Sequence, residues 1–240
     1  MTGWLVLASF TARAERLLWH EVRLDASGQL LSWVPGDAPY DRVIRLAWEA
    51  FKQMPVQPNG YRTYFTHPVF YGPNDPGHPL YSGRWWVHNP ASLFAMLTDS
   101  ALLYHAYSGD RVVLDRVREM LDHSLARGRT RATDAWSLVP YACSDPGELT
   151  YRGANDTLYC FAENFTPCGR GDGIGFLEPD KVGELGHAYL LFHEATLDPR
   201  YLDAALHCAD ALARHVRPGG ESVSPWPFRV DAITGTRIRE

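Results

Sequence analysis

The sequence predicts an all-α fold built from helical hairpins that stack side by side. Several segments carry apolar residues at helical spacing and are bounded by proline at their starts and by glycine or proline at their ends. Two of the helix pairs match each other at a constant offset of 88 residues. Long connections rich in aromatic residues precede the first helix of each pair. A repeated helical hairpin cannot bury its apolar face alone, so such units are expected to pack against one another.

The first predicted helix covers residues 40–54. Val43, Leu46, Ala50 and Phe51 recur at helical spacing, and Pro55 ends the helix. Residues 1–39 are predicted to be a lead-in. Within it, the short apolar run 4–10 is followed by small residues typical of a cleavage site, but a basic start is missing. A degenerate signal segment would make the protein secreted or periplasmic; otherwise it is cytoplasmic.

The two related helix pairs are predicted at 90–108 with 110–127 and at 179–196 with 199–216. Residues 102–105 align with residues 190–193, and Asp110 aligns with Asp198 without a gap. The short connections lie at one end of the hairpins. The long loops 55–89 and 129–177 therefore meet at the opposite end, where the first helices of both pairs begin. This arrangement predicts a cleft at that end.

Small residues are predicted to let the first helices of the two pairs pack as close inner neighbours. Ala95 lies on one of these helices, and Gly183 and Gly186 lie on the other. His105 and His193 occupy equivalent positions deep in these helices. Because the repeat places them identically, we interpret them as hairpin-packing residues rather than metal ligands.

Composition restricts the classes of function. The net charge is −5 and no run of Lys and Arg is present, which argues against a nucleic-acid partner. No apolar run has the length of a membrane-spanning helix, so no membrane partner is predicted. The four cysteines match no zinc spacing, and neither a metal nor another cofactor is predicted. Eight tryptophans and twelve tyrosines offer flat surfaces that suit ligands as well as a core.

A glycine-rich stretch at 166–186 leads into the third predicted helix of the repeat, 179–196. Glycines alternate around Asp172 and allow close approach of the backbone to a ligand. Pro179 suits the first turn of a helix, and Asp180 suits its positive end. One interpretation is the floor of a functional site. The other is a well-capped helix start with no further role.

The chain resembles the six-hairpin glycosidase superfamily, the (α/α)6 toroids, over about residues 40–230. The resemblance is carried by the hairpin repeat, by the aromatic loops and by four patterns. These patterns are YDRVIRLAW (40–48), HNPASLFAM (88–96), GDGIGFLEPDKVGELG (171–186) and SPWPFRV (224–230). It implies a sugar-binding cleft above the inner helices. Since a full toroid has more helices than the five predicted, 40–240 is expected to be an incomplete toroid domain, truncated at its C-terminus. It should then associate with the remainder of a longer chain or with itself.

Glycoside hydrolysis uses two carboxyl groups, one as acid and one as base. Asp172 is the first candidate because its glycine neighbours leave it room, and Glu163 and Asp145 follow. Further residues are candidates for substrate binding, through stacking or through polar contacts: Tyr64, Trp85, Trp86, His88, Tyr151, Arg152, Arg170 and Glu184. The aromatic members could equally fill space between loops and helices, and the arginines could pair with nearby acids.

The leading functional hypothesis is a carbohydrate-active enzyme, a glycoside hydrolase acting on an oligo- or polysaccharide. A first alternative is a polysaccharide lyase or uronate epimerase on the same architecture, in which Tyr151, Arg152 and His88 would matter more than Asp172. A second alternative is a toroid fragment that binds a glycan or a protein without catalysis.

Overall fold

The described part of the chain is predominantly helical. The computed structural model describes residues 23–32, 39–53, 90–141, 155–160, 166–173 and 175–239. The five helices are α1 (Pro39–Gln53), α2 (Pro90–Ser108), α3 (Val112–Arg127), α4 (Pro179–Thr196) and α5 (Pro199–His215). They agree with the predicted helices to within one or two residues. The predicted loop 55–89 lies outside the described residues.

Two small antiparallel sheets accompany the helices. The strands β1 (Asn155–Cys160) and β2 (Thr166–Gly173) form a hairpin. A second sheet has the order β3 (Phe176–Leu177), β4 (Arg229–Asp231) and β5 (Arg237–Arg239). The prediction of one continuous loop over 129–177 is therefore wrong for these segments. Register shifts in the β1–β2 pair let the glycine-rich strand follow its partner, because bulges accommodate residues that weaken a regular ladder.

The two hairpins α2–α3 and α4–α5 turn in the same way. The Nδ1 atom of His105 lies 3.1 Å from the carbonyl oxygen of Asp110, and that of His193 lies 2.9 Å from the carbonyl oxygen of Asp198. Each histidine thus ties the last turn of the first helix to an aspartate one or two residues before the second helix. This is the packing role that the repeat predicted for both side chains.

Helix capping is repeated as well. The carboxylate of Asp110 accepts a hydrogen bond from the backbone N–H of Val112 at 2.9 Å, and Asp198 accepts one from Arg200 at 3.0 Å. The residue before each aspartate has a left-handed backbone, with φ 75° at Gly109 and φ 57° at Leu197. The predicted repeat is therefore confirmed at the level of individual hydrogen bonds.

The first helices of the two hairpins, α2 and α4, pack against each other and run parallel. The direction follows from contacts of α3. The guanidinium of Arg118 lies 5.6 Å from the centre of the Phe192 ring, whereas Ser124, further along α3, accepts a hydrogen bond from the hydroxyl of Tyr189 at 3.1 Å. The residue numbers of these contacts thus increase along α3 and decrease along α4, so α3 and α4 are antiparallel. Since α3 is antiparallel to both α2 and α4, these two helices begin at the same end.

The two glycines of α4 face α5 rather than α2, which corrects the predicted role of Gly183 and Gly186. A Cβ atom at Gly186 would lie 2.6 Å from the Cβ of Cys208, and one at Gly183 would lie 3.6 Å from Leu212. Both neighbours belong to α5. The small residues therefore permit close approach within the second hairpin. Ala95 of α2 is half-buried against the main core, as an inner-neighbour position requires.

All five helices contribute to the main core. Its buried residues include Phe51 of α1, Phe94 of α2, Val117 of α3, Tyr189 of α4 and Tyr201 of α5. Helix α1 contributes least, and much of its surface, including Val43 and Leu46, is exposed in the described structure. On each of the other helices, burial of one large apolar side chain stabilises the fold by roughly 1.5–3 kcal/mol relative to leaving that side chain exposed.

A second apolar cluster covers the end of the bundle where α4 begins. Trp136 and Val139, from the segment after α3, pack there with Val182 of α4, Cys208 of α5 and Val230 of β4. Backbone hydrogen bonds join residues 135 and 136 to residues 233 and 232, so the segment after α3 is tied to the second sheet. At the loop end, the described residues of these segments therefore form a packed layer.

Candidate functional site

A cavity of about 670 Å³ lies at the loop end, beside the first turns of α4. Its volume is in the range of small-molecule binding sites. It lies between the start of α4, the last turns of α5, the segment 222–228 and β5. The residues that line it are Pro179, Asp180, Gly183, Leu212, Ser222, Val223, Ser224, Trp226, Pro227, Phe228 and Arg237.

Aromatic rings form one wall of the cavity. The indole Nε1 of Trp226 donates a hydrogen bond to the carbonyl oxygen of Leu212 at 3.0 Å, which fixes the orientation of the ring. Phe228 is 47% exposed. The guanidinium of Arg229 lies 5.0 Å from the centre of the Phe228 ring and 4.7 Å from that of Phe176. The rings of Trp226 and Phe228 thus line the cavity, and their contacts with Leu212 and Arg229 fix their orientation.

A buried ion pair holds this wall against the start of α4. The Nε atom of Arg229 lies 2.6 Å from a carboxylate oxygen of Glu178, and both side chains are largely buried. Burial, with a smaller contribution from the charge of Asp180, raises the pKa of Glu178 to about 7. The direct contact with the guanidinium acts in the opposite direction, because a neighbouring cation favours the ionised carboxylate. Removing either partner would leave the other charge uncompensated in a buried position.

The charges around the cavity form a balanced set. On α4, the Nζ atom of Lys181 lies 3.1 Å from the carboxylate of Asp180 and 3.5 Å from that of Glu184. Arg237 lines the cavity from β5. The rim thus provides both hydrogen-bond donors and acceptors beside the aromatic wall.

The predicted site residues fall into three groups. Asp172 and Arg170 lie on β2, where Arg170 pairs in register with Thr157. The backbone around Asp172 is thus a strand and not the open glycine loop that was predicted. Glu184 is exposed on α4 and pairs with Lys181. The remaining candidates lie outside the described residues: Tyr64, Trp85, Trp86, His88, Asp145, Tyr151, Arg152 and Glu163.

Sequence reasoning missed the wall of the cavity. Trp226, Phe228 and Arg237 were given no role, although the first two lie within the pattern SPWPFRV at 224–230. Two aromatic residues among prolines in a polar C-terminal stretch were the available signal. This stretch and Asp180, which are far apart in sequence, line the same cavity, and local spacing does not reveal such a pairing.

Other kinds of site receive no support from the described ranges. Within them, no group of three or more His, Cys, Asp and Glu side chains is arranged to hold a metal ion. None of the helices found there has the length and apolarity needed to cross a membrane.

The fold and the cavity define a class of protein, a helical-hairpin repeat protein with an aromatic-walled cavity beside the start of one helix. Comparisons with protein-family models, curated proteins and solved structures found no match to this chain. The case for a function therefore depends on the geometry of the chain itself.

Proposed function

We propose that the protein is carbohydrate-active, a glycoside hydrolase built as a partial (α/α) toroid. The observation that carries this proposal is the parallel pairing of α2 and α4, each followed by a helix that turns back through the same hydrogen-bonded connection. In a toroid, the first helices of successive hairpins form the inner ring and open their starts to one cleft. The cavity beside the start of α4 lies at the same end.

The proposed chemistry places Asp172 as the general base. It lies on β2, which comes shortly before β3 and α4 along the chain, so its strand leads toward the end that contains the cavity. A partner carboxyl group, Glu163 or Asp145, would act as general acid. In an inverting enzyme the two groups would lie roughly 6.5–9.5 Å apart, with the attacking water between them. A carbohydrate is then the substrate and no cofactor is required.

The test is hydrolysis of a panel of plant and bacterial polysaccharides, measured as the release of reducing ends. The Asp172→Asn variant should lower turnover by about 10²–10⁴-fold, the range of general acid–base catalysis. Asp203→Asn is the matched control, because Asp203 is an exposed aspartate on α5 whose carboxylate lies 3.6 Å from the Nδ1 of His207. It should leave turnover unchanged, and both variants should retain the melting temperature.

Three outcomes would contradict the proposal in whole or in part. Unsaturated uronate products in place of reducing ends would assign the site to a lyase, in which Tyr151, Arg152 and His88 become the residues to replace. A folded protein that binds glycans without any turnover would be a binding module. Normal turnover in Asp172→Asn would remove this residue from the mechanism.

A further inference from the structure

Helix α1 presents apolar side chains to solvent. The side of α1 that packs toward the first hairpin is mostly charged and consists of Asp41, Arg45, Trp48 and Lys52. The rest of the helix is exposed, and its apolar part, called here the α1 surface, consists of Tyr40, Val43, Ile44, Leu46, Ala47 and Ala50. A helix of a globular protein ordinarily turns its apolar side to the core. The reversed arrangement in α1 indicates that its apolar side has a further contact.

Helix α1 has the place before the first hairpin that α3 has before the second. The ring of Trp48 stacks on that of Tyr104 with centres 4.9 Å apart, and the ammonium of Lys52 pairs with Asp110. Arg118 of α3 makes both corresponding contacts, at the positions 88 residues further along the chain. The helices α1, α3 and α5 therefore form one row, in which α1 and α5 are the two ends.

The repeat locates the surface of α5 at which this row would continue. Within the chain, α3 receives the start of α5. The carboxylate of Asp122 accepts a hydrogen bond from the hydroxyl of Tyr201 at 2.7 Å and lies 3.1 Å from the guanidinium of Arg200. The offset of 88 residues places Asp210 of α5 at the position of Asp122, and Asp210 is exposed. Helix α5 thus carries the same acceptor that α3 uses to bind the next helix.

The positions around Asp210 are also uncovered. Leu121 of α3 is fully buried, whereas its counterpart on α5, Ala209, is exposed. Leu206, at the position equivalent to Arg118, is 54% exposed. A groove of about 580 Å³ lies beside Asp210, between α5 and the segment that follows α3, and gives room for side chains of a docked helix. We call these positions the α5 surface: Leu206, Ala209, Asp210 and Ala213.

The start of α1 supplies the kinds of side chain that this acceptor binds. Like α5, α1 begins with a proline. Tyr40 is its second residue and is 86% exposed, and Arg42, its fourth residue, is exposed as well. A tyrosine hydroxyl and a guanidinium are the two groups that bind the equivalent carboxylate within the chain, and hydrogen bonds of such groups to a carboxylate are strong. Every copy of the protein therefore carries both the acceptor and its donors.

We propose that the α1 surface of one copy docks on the α5 surface of another, head to tail, so that the row of outer helices continues from copy to copy. Tyr40 and Arg42 bind Asp210 of the neighbouring copy, and the apolar side of α1 covers Leu206 and Ala209. Because the two surfaces differ, the contact is heterologous, and an assembly has a free surface of each kind at its ends unless it closes into a ring. The inference is independent of the proposed hydrolysis, since it uses none of the proposed catalytic residues.

The test is analytical ultracentrifugation over a series of protein concentrations. The unaltered protein should form dimers and larger species as its concentration rises. Leu46→Glu on α1 and Leu206→Glu on α5 should each raise the dissociation constant about tenfold or more, because each puts a charge into an apolar contact. The matched control is Leu103→Glu, since Leu103 is 67% exposed on α2 and lies outside both surfaces. It should associate as the unaltered protein does, and all three variants should keep the melting temperature because the replaced side chains are exposed.

Mixing variants tests the head-to-tail arrangement. Leu46→Glu keeps an intact α5 surface and Leu206→Glu keeps an intact α1 surface, so an equimolar mixture should form a dimer of one copy of each and no larger species. An exchange of charges tests the polar contact. Arg42→Asp and Asp210→Arg should each weaken association, and the variant that carries both changes should recover it.

Specific results would overturn the inference. A monomer at every concentration of the unaltered protein would assign both surfaces to a different partner. A monomeric mixture of Leu46→Glu and Leu206→Glu would exclude the head-to-tail contact. Weakening by Leu103→Glu equal to that by the other two variants would place the contact on another face. Failure of the exchanged charges to restore association would remove Asp210 from it.

Discussion

Replacement of Gly186 by alanine tests how closely α4 and α5 approach. In an exposed helix the change from glycine to alanine stabilises by about 1 kcal/mol. Here the new Cβ atom would lie 2.6 Å from the Cβ and 3.3 Å from the Sγ of Cys208. Overpacking of this kind costs roughly 1–3 kcal/mol. We therefore expect Gly186→Ala to lower the free energy of unfolding by up to about 2 kcal/mol after the gain in helix propensity is counted.

Gly183 provides a matched control one turn earlier in the same helix. Its added Cβ would meet only Leu212 Cδ1, at 3.6 Å, an ordinary contact distance. Gly183→Ala should therefore raise the free energy of unfolding by about 0.5–1 kcal/mol. Urea denaturation followed by circular dichroism measures both variants, and an unchanged m-value shows that the comparison is valid.

The origin of the cost can be isolated with changes at Cys208. Cys208→Gly removes the opposing Cβ but is itself destabilising in a helix, so the effect is measured as a coupling: Gly186→Ala should cost less in the Cys208→Gly background than in the unaltered protein. Cys208→Ser retains that Cβ, and in its background Gly186→Ala should cost as much as before. If Gly186→Ala is as stabilising as Gly183→Ala, the two helices are further apart than in this structure and the reasoning fails.

Three further predictions concern the hairpins. Gly109→Ala should lower the free energy of unfolding by about 2–4 kcal/mol, because it puts a side chain in the left-handed region and a Cβ 2.0 Å from the carbonyl oxygen of Leu30. Leu197 is exposed and already has a left-handed backbone. Leu197→Gly should therefore be neutral or raise the free energy of unfolding by up to ~1 kcal/mol in the same urea assay. Burial raises the pKa of the Cys208 thiol to about 12, so its alkylation, read by peptide mass spectrometry, should occur only as fast as the chain unfolds. Burial, with a smaller effect of Arg127, lowers the pKa of His123 below 6.5, so the unfolded chain takes up a proton that the native state resists. Stability should fall as the pH drops below about 6.5, and His123→Gln should flatten that fall.

Each of these three predictions would be contradicted by a specific result. A larger loss from Leu197→Gly than from Gly109→Ala would mean that the two turns are not equivalent. Rapid alkylation of Cys208 under native conditions would place it at the surface. An unchanged acid slope in His123→Gln would show that other groups control the response to acid.

The helical hairpins could be predicted from the sequence because their signals are local. Pro90, Pro179 and Pro199 mark helix starts, and each of them is the first residue of an observed helix. The aspartates before α3 and α5 accept backbone hydrogen bonds two residues further on, an interaction fixed by short-range geometry. The αL position before Asp198 is the exception, since Leu197 occupies it where the other hairpin has glycine.

The strands could not be predicted in the same way. Thr166–Gly173 is rich in glycine, which has low strand propensity and signals a loop by composition. It pairs as β2 with Asn155–Cys160, and bulges absorb the irregular register. The deciding factor is the partner, which local composition does not identify.

The loop end of the molecule is held together by contacts between residues that are far apart in sequence. Glu178 binds Arg229, and the Nε2–H of His215 donates a hydrogen bond to the carbonyl oxygen of Ala135 while its ring stacks on Trp136. None of these pairs has a spacing that a periodicity could reveal. The repeat therefore predicts where the helices begin and that their starts meet, but it leaves open which segments cover those starts.

The turns of the hairpins and the cavity lie at opposite ends of the molecule's helices. The turn residues at 105–110 and 193–198 lie at the end opposite the cavity, so changes there act on stability without contacting a ligand. The wall formed by Trp226 and Phe228 is attached to α4 through the pair Glu178 and Arg229 and through the packing of Val230. Substitutions of the exposed Phe228 that leave these attachments in place should change the surface of the cavity while the hairpins keep their geometry.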